Sequence, residues 1–290
     1  MGVGVILRKT HVLSSDAPKV MASLLTSLTM PLMSFTSMVA SLNRSNIASL
    51  GMLMVILFAN ALILHILSGL FTKALKLPPE SAAVHKFTFV QPNTAFVGVA
   101  VITALWAEDA GIFIGAIQLS TSLYVNTLGI YTLGSGKAKM SPLDLIKTPM
   151  FWGCIGGVVF ALLEIPIPEP LFKVLQNIGN MTTPLAMIYT GCLICEMNLL
   201  QSLRRRSVIM TTIARLVVIP LFTFLILRPI FADQYFLYAV PTVMAAMPSF
   251  TLLPVFAGKY GVDVGEAAAL VAATTTCSLL TIPLITLLLV

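Results

Sequence analysis

The chain carries the same kind of interruption in each of two halves. Pro31, in Leu28-Thr29-Met30-Pro31-Leu32, is matched 153 residues later by Pro184, in Met181-Thr182-Thr183-Pro184-Leu185. Pro92, in Gln91-Pro92-Asn93-Thr94, is matched 156 residues later by Pro248, in Met247-Pro248-Ser249-Phe250. All four lie in apolar stretches long enough to cross a bilayer, where a proline removes a backbone donor and breaks the helical ladder. Breaks at corresponding places in two halves of a membrane chain point to a transport site.

Composition places those stretches in lipid. Only 10% of the residues are charged and 58% are hydrophobic, whereas a soluble domain carries about 25% charged residues. The net charge of +6 reads as membrane topology, so no nucleic-acid partner is expected. Cys154, Cys192, Cys195 and Cys277 all fall in apolar spans and read as packing thiols. None of the three histidines is grouped with a cysteine, so neither a metal site nor a cofactor is expected. No secretory signal is legible either, because Arg8 and Lys9 end the first apolar run.

The hydropathy pattern predicts spans near 20–41, 46–72, 83–107, 110–133, 148–163, 170–196, 207–230, 234–258 and 265–290, with a stub at 1–7. Gly4 lies 27 residues before Pro31, as Gly157 does before Pro184. The stub therefore reads as the end of a truncated first helix. The expected architecture is an all-α membrane protein of ten helices in two halves of five. Residues 1–134 form the first repeat, 135–149 a short cytoplasmic linker and 150–290 the second repeat. Five is odd, so the second repeat enters the membrane inverted. The basic residues sort accordingly. Arg8, Lys9, Lys19, Lys73, Lys76, Lys86, Lys137, Lys139, Lys147, Arg204, Arg205, Arg206 and Lys259 fall on one side, with Arg44, Lys173 and Arg228 on the other. The richer side is cytoplasmic by the positive-inside rule, which puts the C-terminus outside a multi-pass cell (plasma or inner) membrane protein.

The candidate site follows from the breaks. Gln91, Asn93 and Thr94 flank Pro92, and Ser249 and Thr251 flank Pro248. Asn126, Gln118, Ser120 and Thr121 lie in the next span and could border the same cavity. Half-helices starting after Pro92 and Pro248 would bring partial positive charge to the bilayer centre, opposed by the two C-terminal ends. All eleven acids map to loops or span ends. With no carboxylate for a proton or Na⁺ at the midplane, the site suits a small organic anion. Arg215, inside a span, is expected to snorkel to the cytoplasmic surface, the alternative being to attract an anion.

Pro92-Asn93-Thr94, with Gly98 and Trp106-Ala107-Glu108-Asp109-Ala110, resembles the fourth-helix crossover of the auxin efflux carrier family. Met30-Pro31-Leu32-Met33-Ser34-Phe35 resembles its second helix. Met247-Pro248, with Pro254-Val255-Phe256-Ala257-Gly258-Lys259-Tyr260, resembles its ninth-helix crossover. The resemblance implies a sodium/proton-antiporter-like fold, with a scaffold and a transport domain, and elevator-type export of organic anions. It also implies that Asn93 binds the substrate carboxylate while Pro92 and Pro248 shape the crossover. The short 134–148 connection is that of a compact, bacterial-type permease, and a homodimer is left open. Two readings of the function stand beside a secondary carrier of carboxylates or auxin-like compounds: a sodium- or proton-coupled symporter or antiporter of the same fold, and a membrane enzyme. The last lacks a nucleophile, base or metal set in its spans.

Overall fold

The computed structural model describes residues 2–41, 47–107, 110–134, 149–196 and 203–289, and every regular element among them is helical. Of the linker expected at 135–149, residues 135–148 lie outside the described residues, as do Arg44, Glu108 and Asp109. Five helical stretches are long and apolar enough to span a bilayer: Ala17–Ala40, Gly51–Ala74, Phe113–Gly134, Arg206–Ile230 and Val264–Leu289. They fall on the spans expected near 20–41, 46–72, 110–133, 207–230 and 265–290. Leu279 and Leu280 are each 75% exposed. Such a patch is a liability in water and lipid contact in a bilayer. The chain is a multi-pass membrane protein.

The remaining expected spans are short or broken. In chain order the helices are α1 Gly2–Lys9, α2 Ala17–Leu24, α3 Met30–Ser41, α4 Ile47–Ala74, α5 Pro79–Val90, α6 Val99–Leu105, α7 Ala110–Tyr124 and α8 Ile130–Gly134. They continue with α9 Pro149–Leu162, α10 Glu169–Asn180, α11 Thr182–Glu196, α12 Arg206–Ile213, α13 Ile219–Ile230, α14 Tyr235–Ala245, α15 Leu253–Tyr260 and α16 Val264–Thr286. The span expected at 170–196 is two helices meeting at Met181. Pro184 sits in the first turn of α11, where its missing donor has no intrahelical acceptor to lose.

Pro31 does not end its helix, contrary to the expected break. The ladder widens to a π turn over Leu25–Thr29 and resumes as α3. The same occurs over Ala214–Val218 ahead of Pro220. A proline ring crowds the carbonyl one turn back, and a widened turn absorbs that crowding without cutting the span. Of the four paired prolines, only Pro92 and Pro248 lie outside helix.

Two close helix contacts are related by the repeat spacing. α1 packs on α11 and α9 packs on α3. At Gly4 the Ile188 carbonyl occupies the place of a β-carbon. At Gly157 the Phe35 carbonyl oxygen lies 2.6 Å from that place. Gly4 and Gly157, and likewise Phe35 and Ile188, are 153 residues apart. Small residues let membrane helices approach this closely. Gly157→Leu is therefore expected to lose most folded protein in detergent size-exclusion profiles. Gly69→Leu, at a glycine with nothing within 4 Å of the same place, should elute as wild type.

Candidate functional site

The site is built where two helices stop. α5 leaves helical geometry at Gln91, whose φ of −92° and ψ of 113° are extended, because a residue before proline is pushed out of the α region. α14 ends at Ala245, and its cap Ala246 (φ −80°, ψ −10°) is still in the helical region two residues ahead of Pro248. The two short extended segments lie antiparallel, bridged between Pro92 and Ser249. The Asn93 N–H donates to the Pro248 carbonyl at 2.8 Å, and the Phe250 N–H donates to the Gln91 carbonyl at 3.2 Å. Each break thus satisfies backbone groups the other leaves open, which a lipid interior demands. From α16, Thr274 Oγ1 accepts the Ser249 N–H at 3.0 Å.

Arg215 closes the other side of this crossing. Its side chain is fully buried and does not snorkel to the surface. Nε donates to the Met247 carbonyl at 3.0 Å, and Nη1 to those of Phe89 at 3.0 Å and Val90 at 3.4 Å. Nη2 donates to the Met244 carbonyl at 3.4 Å. These carbonyls belong to the C-terminal ends of α5 and α14. Each such end carries roughly −0.5 of a charge, so one guanidinium balances both.

Two small cavities flank the crossing. One, of about 40 Å³, is lined by Asn60, Gln91, Pro92, Thr94, Thr121 and Arg215 among others. The second, of about 30 Å³, is lined by Ser34, Ser37, Thr94, Gln118, Thr121 and Phe250 with further apolar contacts. Thr94 and Thr121 belong to both, and no acidic side chain lines either.

The residues singled out by sequence divide into two groups. Gln91, Pro92 and Thr94 face a cavity, and Gln91 Nε2 donates to the Thr121 carbonyl at 3.3 Å. Asn93, Pro248 and Ser249 stand behind it. Asn93 Nδ2 donates to Thr251 Oγ1 at 2.6 Å, and Ser249 Oγ donates to Thr88 Oγ1 at 3.3 Å. Asn126 is on neither lining. Its Nδ2 donates to the Ser122 carbonyl at 2.8 Å, while its buried Oδ1 has no hydrogen-bond partner among the described residues. Sequence reasoning missed Ser34, Ser37 and Tyr124 as lining residues. Ser34 and Ser37, three apart among the four hydroxyl residues of α3, were the available signal.

A multi-pass helical protein whose two broken helices hydrogen-bond to each other inside the bilayer has the makings of a solute carrier. Residues 1–135 and 136–286 match the model of the membrane transport protein family. The chain belongs to that family, the auxin efflux carriers of the sequence resemblance. It is a family of transporters, not of enzymes. No curated protein matches the chain.

Proposed function

We propose that the protein is a secondary carrier of small organic anions, carboxylates or auxin-like compounds, working by elevator-type alternating access at the proline crossover. The observation that carries this reading is the charge arrangement. Arg215 balances the C-terminal ends of the two broken helices, and no acid lines the adjoining cavities. The helix N-termini after Pro92 and Pro248 keep their partial positive charge, which favours an anion. Gln91 and Thr94 line the site, Asn93 turns from Thr251 to the carboxylate, and Ser249 and Asn126 support it from behind.

Each cavity has room for only a few water molecules. Loading therefore requires α5, α6, α14 and α15 to shift against α3, which borders the second cavity. Residues 1–134 and 150–290 form the inverted repeats, joined by the 135–149 linker. The exchange of contacts between Gly4 and Ile188 and between Gly157 and Phe35 supports that symmetry, as does the Pro92–Ser249 bridge. The basic loops are cytoplasmic and the C-terminus is outside. The test is uptake of acetate, succinate and indole-3-acetate by liposomes holding the purified protein. Uptake of at least one acid above protein-free liposomes is expected, and uptake of none overturns the reading.

A further inference from the structure

A second polar cluster lies away from the cavities, and it holds a buried carboxylate. Glu266 does sit in the first turn of its span, as the sequence places it, yet it is only 3% exposed. Its N–H is capped by Asp263 Oδ1 at 2.8 Å. Its carboxylate turns toward α5, accepting hydrogen bonds from the hydroxyls of Ser81 and of Ser207, the latter at 2.9 Å. His85, on α5 and fully buried, faces it with Nε2 at 3.4 Å from Oε1. The other ring nitrogen, Nδ1, lies 2.6 Å from Thr211 Oγ1.

The 3.4 Å gap is the informative feature. It exceeds the usual span of about 2.7–3.2 Å for a nitrogen–oxygen hydrogen bond, and Nε2 has no hydrogen-bond partner among the described residues. In the tautomer whose Nδ1–H donates to Thr211, the Nε2 lone pair and a carboxylate oxygen face each other, two acceptors with no proton between them. One added proton turns that opposition into an Nε2–H donation to Glu266. Arg205 Nη1 stands 3.5 Å from both Glu266 Oε1 and Asp263 Oδ2. One cation thus faces two carboxylates, and the proton brings the cluster from a net −1 to neutral. The remaining charged or titratable groups on the elements packed against α5 are Glu80 and Lys86 on α5 itself, His65 and Lys73 on α4, Tyr131 on α8, Arg206 on α12, Lys259 and Tyr260 on α15, Cys277 on α16, and Arg215, which is committed to carbonyls.

The cluster has a route to water and a connection to the crossover. Ser207 lines a cavity of about 360 Å³ together with Lys76, Arg206 and neighbouring residues of the α4–α5 turn. A proton entering there reaches Glu266 through Ser207 and passes to His85. Thr88, one helical turn beyond His85, holds the Ser249 hydroxyl, and Thr274 on the helix of Glu266 holds the Ser249 N–H. The two helices the proton would join are therefore the two that hold the second break. We propose that His85 and Glu266 form the proton-binding site of a proton-coupled carrier, with the proton taken up between His85 Nε2 and Glu266 Oε1 and its occupancy setting how α5 sits on α16. This rests on the carrier reading for its coupling to solute.

Trp106 and Trp152 are the only tryptophans, and Trp106 ends α6 against Tyr235 and Phe236 of α14. In Trp152→Phe protein in lipid nanodiscs, Trp106 emission is expected to change as the pH is lowered. His85→Gln and Glu266→Gln should each remove the change. A constant emission, or a response that survives His85→Gln, overturns the site. Should both variants fail to fold, Ser207→Ala at the mouth of the route decides: a slower response to a pH jump is expected, and unchanged kinetics overturn the relay. In liposomes with a trapped pH indicator, protons should move with whichever of acetate, succinate or indole-3-acetate is carried. A carried acid without proton movement overturns the coupling and leaves the carrier reading intact. A pH response with no acid carried overturns the carrier reading and with it the coupling, and leaves the proton site intact.

Discussion

Purified Arg215→Ala protein is expected to unfold at a markedly lower temperature than wild type and to carry no solute. Removing the guanidinium leaves the carbonyls of Phe89, Val90, Met244 and Met247 without their shared donor in a dry interior. A buried acceptor left without its donor costs about 1–3 kcal/mol. The two helix ends would also repel each other once the intervening charge is gone. Arg215→Met keeps most of the volume and should behave like the alanine variant, which separates charge from packing. Arg215→Lys keeps the charge but not the forked donors that reach several carbonyls at once, so it should fall between. Thermal unfolding followed by tryptophan fluorescence, with uptake measured in parallel, reads all three. A methionine variant as stable as wild type would show that the guanidinium does not hold the crossing together.

That role was illegible in the sequence for a definite reason. Eight or so residues into a span, an arginine within reach of the interface is cheapest to place by snorkelling. What reverses the choice is tertiary: two helices, each stopping at a proline, deliver four carbonyls to one point. The breaks themselves were legible at Pro92 and Pro248, because each falls in an apolar run with polar neighbours. At Pro31 the same residue type gave a different outcome. A widened turn absorbs the ring there, and nothing local to Met30-Pro31-Leu32 distinguishes that from a break. Glu266 shows a related limit. Its position at the start of a span was readable, but its burial depends on Ser81, His85 and Ser207, which come from two other helices. The five long spans were readable because an uninterrupted apolar stretch of bilayer length leaves few other structures open to the backbone.

Asn93→Ala is expected to cut carboxylate uptake at least about tenfold while leaving the protein folded, the loss of a hydrogen bond to a charged group being worth about 1.5–3 kcal/mol. The backbone bonds that hold the crossing use the Asn93 N–H and the Gln91 carbonyl, which the substitution keeps. The substitution removes the side-chain donation to Thr251 Oγ1, at 2.6 Å. That contact makes Thr251→Val the discriminating partner. If Nδ2 exchanges the Thr251 hydroxyl for a substrate carboxylate, Thr251 competes with the solute. Its removal should then leave uptake within about threefold of wild type, the single neutral hydrogen bond being worth about 1 kcal/mol or less in net terms. If the Asn93–Thr251 pair serves only to brace the two breaks, both variants should lose uptake equally and lose thermal stability together. The ranking of the two variants, more than the size of either effect, decides whether Asn93 touches the solute.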